Sequence, residues 1–406
     1  MKVLLLAHRV YTEHANGAAR SVRTILEWLS DAGHECRVLA TGRFGQSPGL
    51  TIGEHHDSLG LADRREAAEG KRPVVRYQLR GVMVTVIETE HPTPADIDEL
   101  GDAQLGAAIT ATLQAWRPDL VLAYGGEPVI HAGLAAARQA GARTIFTVRS
   151  WGYEHRNFFL HADRALMTSR HSAEFYARAI GLRGDGLPSP ILWPEIEATA
   201  AAREFVTFIN PTPYKGVALF ARLADMLGRA RPDIPMLVVE SGASAAALAG
   251  IPELDLARHP QILVSPARAD PREIYAVTRI LLVPSVFAEP FGRVAAEAMI
   301  NAIPPLVSDR GGLPETVGSG GIVLPVPPWL TPSERRVPSE AEMQPWFDAV
   351  VRLWDDPAAY ARASAAARQT AEALYGEDRQ RQRYLDYFTD PGPFPPLFPE
   401  EQHISD

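Results

Sequence analysis

Residues 281–324 read LLVPSVFAEPFGRVAAEAMINAIPPLVSDRGGLPETVGSGGIVL, and the fold follows from this stretch. The apolar run 280–283 has the length and composition of a buried strand, Pro284 breaks it, and the short loop that follows ends in Glu289. Proline is tolerated at the first helical position because its missing N–H would be unpaired there anyway, so a helix is expected from Pro290 onward through 294–299. The main-chain N–H groups of Phe291, Gly292, Arg293 and Val294 would then point out of a helix start at the end of a buried strand. That is an anion site: the glycine allows close approach and Arg293 adds charge. Glu289 precedes the helix and Glu297 lies two turns along it, which separates their backbones by roughly 12 Å at about 1.5 Å per residue. Two carboxylates so far apart cannot share one atom. They suit the two ends of an extended ligand with its phosphates at the helix start, and sugar, diphosphate and ribose in line have that shape.

The rest of the chain supplies the setting for such a site. At 406 residues it is long enough for two substantial cores, and 46% hydrophobic with 22% charged residues is the composition of a globular protein. A net charge of −9 argues against general nucleic-acid binding. Cys36 is the only cysteine, so no disulfide can form within the chain, which fits a reducing, cytoplasmic compartment. The N-terminal MKVLLLAHRVYTEH reads as a first strand, its apolar run being too short for a secretory signal. No stretch approaches the ~18 apolar residues that span a bilayer, so any contact with the inner membrane face is expected to be peripheral. The abundance of Ala, Arg and Pro suggests a GC-rich bacterial genome.

Two successive α/β halves are expected. In the first, a strand at 3–7 and a polar loop at 12–16 lead to Gly17-Ala18-Ala19 and a helix over 21–32, with Val22, Ile25, Leu26 and Leu29 at helical spacing. A second strand covers 36–40, residues 41–73 form a surface excursion, and strands at 74–79 and 82–87 make a hairpin about Arg80-Gly81. Asp96 and Asp98 have the spacing of a metal-binding pair but precede a helix at 103–116, where acids favour the positive end of the dipole. Further strands fall at 120–123, 144–148 and 164–168, the middle one followed by Arg149-Ser150-Trp151-Gly152. Residues 183–203 form the candidate linker. The pattern restarts with a strand at 205–209, the loop Asn210 to Gly216 and a helix over 217–229, where Lys215 and Gly216 suit a phosphate. Strands at 236–239 and 262–264 follow, the latter running into Arg268; helices at 340–354, 357–374 and 377–388 precede a Pro-rich tail expected to be loosely held.

The segment Glu289 to Glu297, with its preceding strand and the loop SDRGGLPETVG, resembles the E-x7-E region of the GT4 family of retaining glycosyltransferases, which have the GT-B fold. The resemblance implies two doubly wound, Rossmann-like α/β domains facing across a cleft. The N-terminal acceptor-side domain would span 1–185 and be joined again by a helix at 377–390; the donor-binding domain would span 186–376, with a tail at 391–406. It further implies that Glu289 contacts the donor sugar, Glu297 the ribose, and Lys215 with Gly216 the diphosphate. Gly17 would match one glycine of a family pair at the first turn, and Arg268 would lie near the nucleotide base. Three positions depart from the family pattern: Ala18 in place of glycine, Asn210 in place of an arginine that shares the diphosphate with the lysine, and Arg149 in place of a histidine that assists at the donor sugar. Arg293 could supply the missing charge.

The expected activity is transfer of a hexosyl group, with retention, from a nucleotide diphosphate sugar to an acceptor hydroxyl. Catalysis would rest on Glu289, Lys215 and Arg293. Gly17, Gly216, Arg268, Pro290, Phe291, Gly292, Val294 and Glu297 would line the donor site, and neither a metal nor a further cofactor is expected. The acceptor could be a glycan, a lipid-linked glycan, a natural product or a protein, and nothing in the sequence decides it, the nucleotide or the oligomeric state. Two other readings compete: a nucleotide-sugar epimerase or hydrolase on the same fold, since fold does not fix reaction, and a nucleotide-sugar-binding protein that has lost activity through the three departures. A nicotinamide dehydrogenase is disfavoured because the first turn lacks G-x-G-x-x-G.

Overall fold

The computed structural model describes the chain apart from residues 14–15, 45–50, 90–97, 200–201, 242, 250, 252–253, 269, 335, 391, 393 and 400–406, and the side chain at 249. It divides into two compact units, Met1–Leu187 with Arg381–Asp406, and Pro188–Gln380. The division falls twice at chain connections, the second time inside the helix Glu377–Thr389.

The first unit holds one sheet of β1 (Lys2–Ala7), β2 (Glu35–Thr41), β3 (Arg65–Glu66), β4 (Val74–Leu79), β5 (Val82–Ile87), β6 (Leu120–Tyr124), β7 (Arg143–Thr147), β8 (Arg164–Met167) and β9 (Asp185–Gly186). Its order is β3-β4-β5-β2-β1-β6-β7-β8-β9. From β5 to β9 every neighbouring pair is parallel, while β4 turns back antiparallel on β5. The hairpin turns at Arg80 (φ 46°) and Gly81 (φ 78°), two successive left-handed residues whose twist matches that of the flanking strands. Counting outward from β1, strands are added first on one side and then on the other, so the order reverses between β1 and β6.

The second unit repeats the scheme with β10 (Phe205–Ile209), β11 (Met236–Glu240), β12 (Ile262–Pro266), β13 (Thr278–Val283), β14 (Pro305–Ser308) and β15 (Ile322–Leu324). The order is β12-β11-β10-β13-β14-β15, all pairs parallel, reversing between β10 and β13. Successive residues of β13 explain its unbroken apolar run. Ile280 and Leu282 pack in one core with the helices Val217–Ala230 and Glu340–Asp355, whereas Leu281 and Val283 pack in the opposite core with the helices Arg293–Ile300 and Pro357–Tyr375. A parallel sheet covered on both faces needs apolar side chains on both.

Several expectations are corrected. The first helix runs Gly17–Asp31 and starts before Ser21, because the Asn16 side chain accepts from the N–H groups of Ala18 and Ala19 and closes its first turn. Its apolar stripe is where spacing put it, with Val22, Ile25, Leu26 and Leu29 buried. The expected excursion at 41–73 contains the helix Ile52–Ser58, whose Ile52 and His56 are buried, and the edge strand β3. The expected linker is built into both units: β9 extends the first sheet, and Ile191 and Ile196 lie fully buried in the second core. The tail is held as well. The N–H of Arg183 donates to the carbonyl of Leu397 at 2.7 Å, and the Arg156 guanidinium lies over the Phe398 ring at 4.9 Å. Asp98 caps the helix Glu99–Trp116 by accepting from Gly101 N–H, and it pairs with Arg72; Asp96 lies outside the described residues. Among the described residues no helix is long and apolar enough to cross a membrane.

Candidate active site

The order reversal between β10 and β13 leaves the loops at their carboxyl ends without a strand crossing above them, which is where doubly wound sheets bind ligands. Two helices begin there, Val217–Ala230 after β10 and Arg293–Ile300 after β13. Each is preceded by a left-handed glycine, Gly216 at φ 85° and Gly292 at φ 94°, and neither has a side-chain cap. Elsewhere Asn16, Thr51, Asp98, Ser169, Ser339 and Asp356 cap their helices. Two uncapped, positively polarised helix starts at one switch point favour an anion.

The second of these helices begins at Arg293, three residues later than the proline rule places it. Gly292 is left-handed, and that conformation cannot lie within a right-handed helix. Pro290 and Phe291 thus belong to the loop. Phe291 packs into the core edge-on to Tyr375 at 5.8 Å, and its carbonyl accepts from the Thr316 hydroxyl.

Glycines bring the loops together. A Cβ on Gly216 would fall 1.8 Å from the Pro284 carbonyl oxygen, one on Gly311 (φ 63°) 2.4 Å from the Glu289 nitrogen, and one on Gly292 2.3 Å from Leu313 Cδ2. Gly312 N–H also donates to the Glu289 carbonyl at 2.7 Å, so the Gly311-Gly312 turn clamps the backbone of Glu289. Val286 N–H donates to the carbonyl of Tyr214 at 3.0 Å, lacing the loop after β13 to the loop after β10.

Glu289 is thereby set beside Lys215, which follows a turn held by Lys215 N–H on Thr212. Lys215 Nζ donates to Glu289 Oε1 at 2.5 Å, and the Ser285 hydroxyl donates to the same oxygen at 2.6 Å. Glu289 is 5% exposed, yet among the described residues nothing donates to its Oε2. An ammonium has three N–H groups, of which Lys215 directs one at Glu289. Its Nζ lies 5.1 Å from the centre of the Phe287 ring, which meets Tyr214 edge-on at 5.9 Å.

Arg293 and Glu297 are paired with each other. One turn apart on the helix, they pair through Arg293 Nε and Glu297 Oε1 at 2.7 Å; Arg293 Nη1 also donates to the Pro190 carbonyl, and the Tyr275 hydroxyl to Glu297 Oε2 at 2.7 Å. Both side chains are nearly enclosed, so the charge of Arg293 is answered by Glu297 and the cation beside Glu289 is Lys215. Asn210, at φ 65°, stands five residues before Lys215 with its Oδ1 buried and unpartnered, a neutral amide where an arginine was looked for. Arg268 is exposed after the outermost strand β12, bonded to Ser265 and paired with Glu273, so β11 separates it from the Lys215 group. Gly17 belongs to the first unit and is exposed. Val294 is half-buried in the first turn of its helix.

The corresponding edge of the first unit carries polar groups that sequence reading missed. His8 follows β1 and donates through Nε2 at 2.7 Å to Asp102, its Nδ1 lies 3.5 Å from Glu127, and Arg9 donates to Glu127 at 3.2 Å. Burial works to raise the Glu127 carboxyl, but His8 and Arg9 outweigh it and hold it below its ordinary value. The position of His8-Arg9 directly after the first strand was the available signal.

The sequence pattern described as Glycosyltransferase Family 4 matches residues 15–187, and that described as Glycosyl transferases group 1 matches residues 196–330. The chain belongs to the glycosyltransferases. No curated protein matches it. Among solved structures this glycosyltransferase is similar to Anabaena Alr3699/HepE in complex with UDP, at TM-score 0.65 and 17% identity over 96% of this chain and 99% of that one. It is also similar to sucrose-phosphate synthase from Thermosynechococcus elongatus, at TM-score 0.65 and 18% identity over 96% and 98%. A third is the catalytic domain of starch synthase IV from Arabidopsis thaliana bound to ADP and acarbose, at 0.61 and 13% over 95% and 99%. The shared architecture is the GT-B fold, as the two doubly wound sheets led one to expect.

Proposed function

We propose that this glycosyltransferase moves a hexosyl group, with retention of anomeric configuration, from a nucleotide diphosphate sugar to an acceptor hydroxyl. The observation that carries the reading is the convergence of Lys215 and Ser285 on one oxygen of Glu289, which fixes the carboxylate and leaves the other oxygen for a sugar hydroxyl. The diphosphate lies at the two uncapped helix starts, where the remaining N–H groups of Lys215 and the dipoles take up the charge that grows as the sugar–phosphate bond breaks, without a metal ion. As the acceptor oxygen bonds to the anomeric carbon on the face the phosphate leaves, its proton passes to the departing phosphate oxygen. Glu297 takes the ribose hydroxyls, and Arg293, bonded to it through Nε, positions it. Gly17 and Arg268 are kept as donor contacts at the sugar and the base. Solved relatives bind UDP, and one was determined with UDP and glucose, which supports a nucleotide-sugar donor.

The test is a thermal-shift panel of UDP, GDP, ADP and dTDP with their sugars on the wild type and on Lys215→Ala. A ligand at about 100 times its dissociation constant adds about 2.7 kcal/mol of stability. A shift for one nucleotide that Lys215→Ala removes supports the donor site; equal shifts in both proteins would overturn it. Asn210 favours one second reading, a protein that binds nucleotide sugar without transferring it, since a neutral amide leaves the diphosphate a single flanking cation. That reading predicts binding with no product from any acceptor supplied.

A further inference from the structure

Arg149 carries a charge that nothing in the described structure answers. It stands two residues past Thr147, the last residue of β7, at the carboxyl edge of the first sheet. The residue as a whole is half-buried, but Nε, Nη1 and Nη2 are all shielded from solvent and lack a hydrogen-bond partner. Arg43, Arg203, Arg279 and Arg310 each leave one or two nitrogens in that state; Arg149 leaves all three. Other arginines of this unit have carboxylates: Arg65 has Glu88 and Asp57, Arg72 has Asp98, and Arg164 has Asp185. Glu127, a carboxylate of the neighbouring loop after β6, meets Arg9 and His8 through Oε1, and its buried Oε2 accepts no hydrogen bond from Arg149 or any other group among the described residues. A guanidinium cannot escape by losing its proton, so the uncompensated charge persists at any working pH.

A second orphan sits one strand over. Leu166 of β8 is the register partner of Thr147, and two residues beyond it Thr168 has its hydroxyl buried without a partner. Arg149 and Thr168 therefore each stand two residues beyond a register pair, just past the ends of adjacent strands, at the edge where a doubly wound sheet meets its ligands. A planar fork of N–H donors, with a hydroxyl at the end of the neighbouring strand, is the donor set for two or three oxygens sharing a negative charge.

We infer that Arg149 and Thr168 bind an anionic oxygen group, carboxylate or phosphoryl, that the transferred sugar or the acceptor carries in addition to the donor's diphosphate. The inference rests on the transferase reading and adds to it the charge class of a substrate: a wholly neutral sugar would leave the guanidinium as unanswered as it is in the free chain.

The experiment uses the full chain as wild type, Arg149→Met, Arg149→Lys and Lys215→Ala. The probes are glucuronate and glucose 6-phosphate, with glucose as the neutral control. Arg149→Met is expected to melt above the wild type, because it removes an uncompensated buried charge. At least one anion should stabilise the wild type and bind Arg149→Met at least tenfold more weakly, with part of the affinity kept by Arg149→Lys and no response to glucose. UDP-glucuronate against UDP-glucose then locates the group. A tenfold preference lost in Arg149→Met puts the anion on the donor; equal donors, with the glucose 6-phosphate response lost, put it on the acceptor. Anions that shift wild type and Arg149→Met equally would overturn the inference. Lys215→Ala separates the two readings, since retained nucleotide affinity there sinks the donor site while leaving the Arg149 result to be judged on its own probes.

Discussion

Gly216 faces Pro284 so closely that a methyl group in place of its hydrogen would lie 1.8 Å from the Pro284 carbonyl oxygen. The loop after β10 rests directly on the backbone that leaves β13, and the residue next to this contact is Lys215. Gly216→Ala is expected to be strongly destabilising. The left-handed backbone alone costs about 1–2 kcal/mol, and the overlap with a main-chain oxygen adds a displacement of the whole turn. A lower thermal midpoint together with lost nucleotide affinity is the expected result; a midpoint equal to the wild type would contradict the close approach.

Lys215 and Glu289 act as one unit. Glu289→Gln keeps the shape but loses the charge that holds the ammonium, and Lys215→Ala removes the cation beside the leaving group. Each is expected to lower kcat about 10²–10³-fold, the scale of removing one preorganised group at a developing charge. The double variant should lose far less than the product of the two, since both residues serve a single arrangement. Steady-state rates of the three variants, with nucleotide affinity measured alongside, check this; strict additivity would separate the residues.

Cys36 is buried and its thiol is pushed up to about 12 by desolvation. The thiolate is the reactive form, so this thiol is inert in the folded chain. Mixed at pH 8 with an aromatic disulfide reagent, the protein should release no colour until denaturant is added and then one equivalent per chain, Cys36 being the only cysteine. Prompt reaction before denaturation would mean that this core opens locally.

Burial alone would raise the Glu88 carboxyl, but hydrogen bonds from His56 at 2.7 Å and Arg65 at 2.9 Å outweigh it and hold the group below the ordinary glutamate value. A carboxyl depressed in the folded state binds its proton more readily when unfolded. It therefore contributes stability above the unfolded value of about 4.3 that is lost as pH falls through the folded value. Denaturant midpoints of the wild type should fall across that acid range, and Glu88→Gln should flatten the decline; parallel curves for the two proteins would remove Glu88 from it.

The central strands were legible because parallel strands buried on both faces leave unbroken apolar runs such as 280–283, with Lys215, Gly216 and Glu289 falling just after such runs, whereas the short strands β3, β9 and β15 leave too few residues to show a pattern. The helix start differs from the expectation because Pro290 satisfies the local rule for a first helical residue, while the residue that sets the start is the left-handed Gly292, where Leu313 leaves no room for a side chain. The Gly311-Gly312 pair was visible as a pair, but its task, admitting the backbone of Glu289, exists only once two loops meet. Arg293 and Glu297 stand at the i, i+4 spacing of a helical ion pair; that spacing already announced that they would neutralise each other. His8 finds Asp102 across 94 residues, a distance over which local pattern says nothing.

The helix Glu377–Thr389 brings the last part of the chain back to the first unit, where Tyr384 packs on Trp28 at 5.9 Å, Tyr387 lies under Arg164 at 3.8 Å and Leu397 receives the N–H of Arg183. On the ribosome the first 187 residues emerge long before these partners are made. Trp28 and Arg164 must then wait without these aromatic partners through the synthesis of the entire second unit, so the first domain to be translated is the last to be completed.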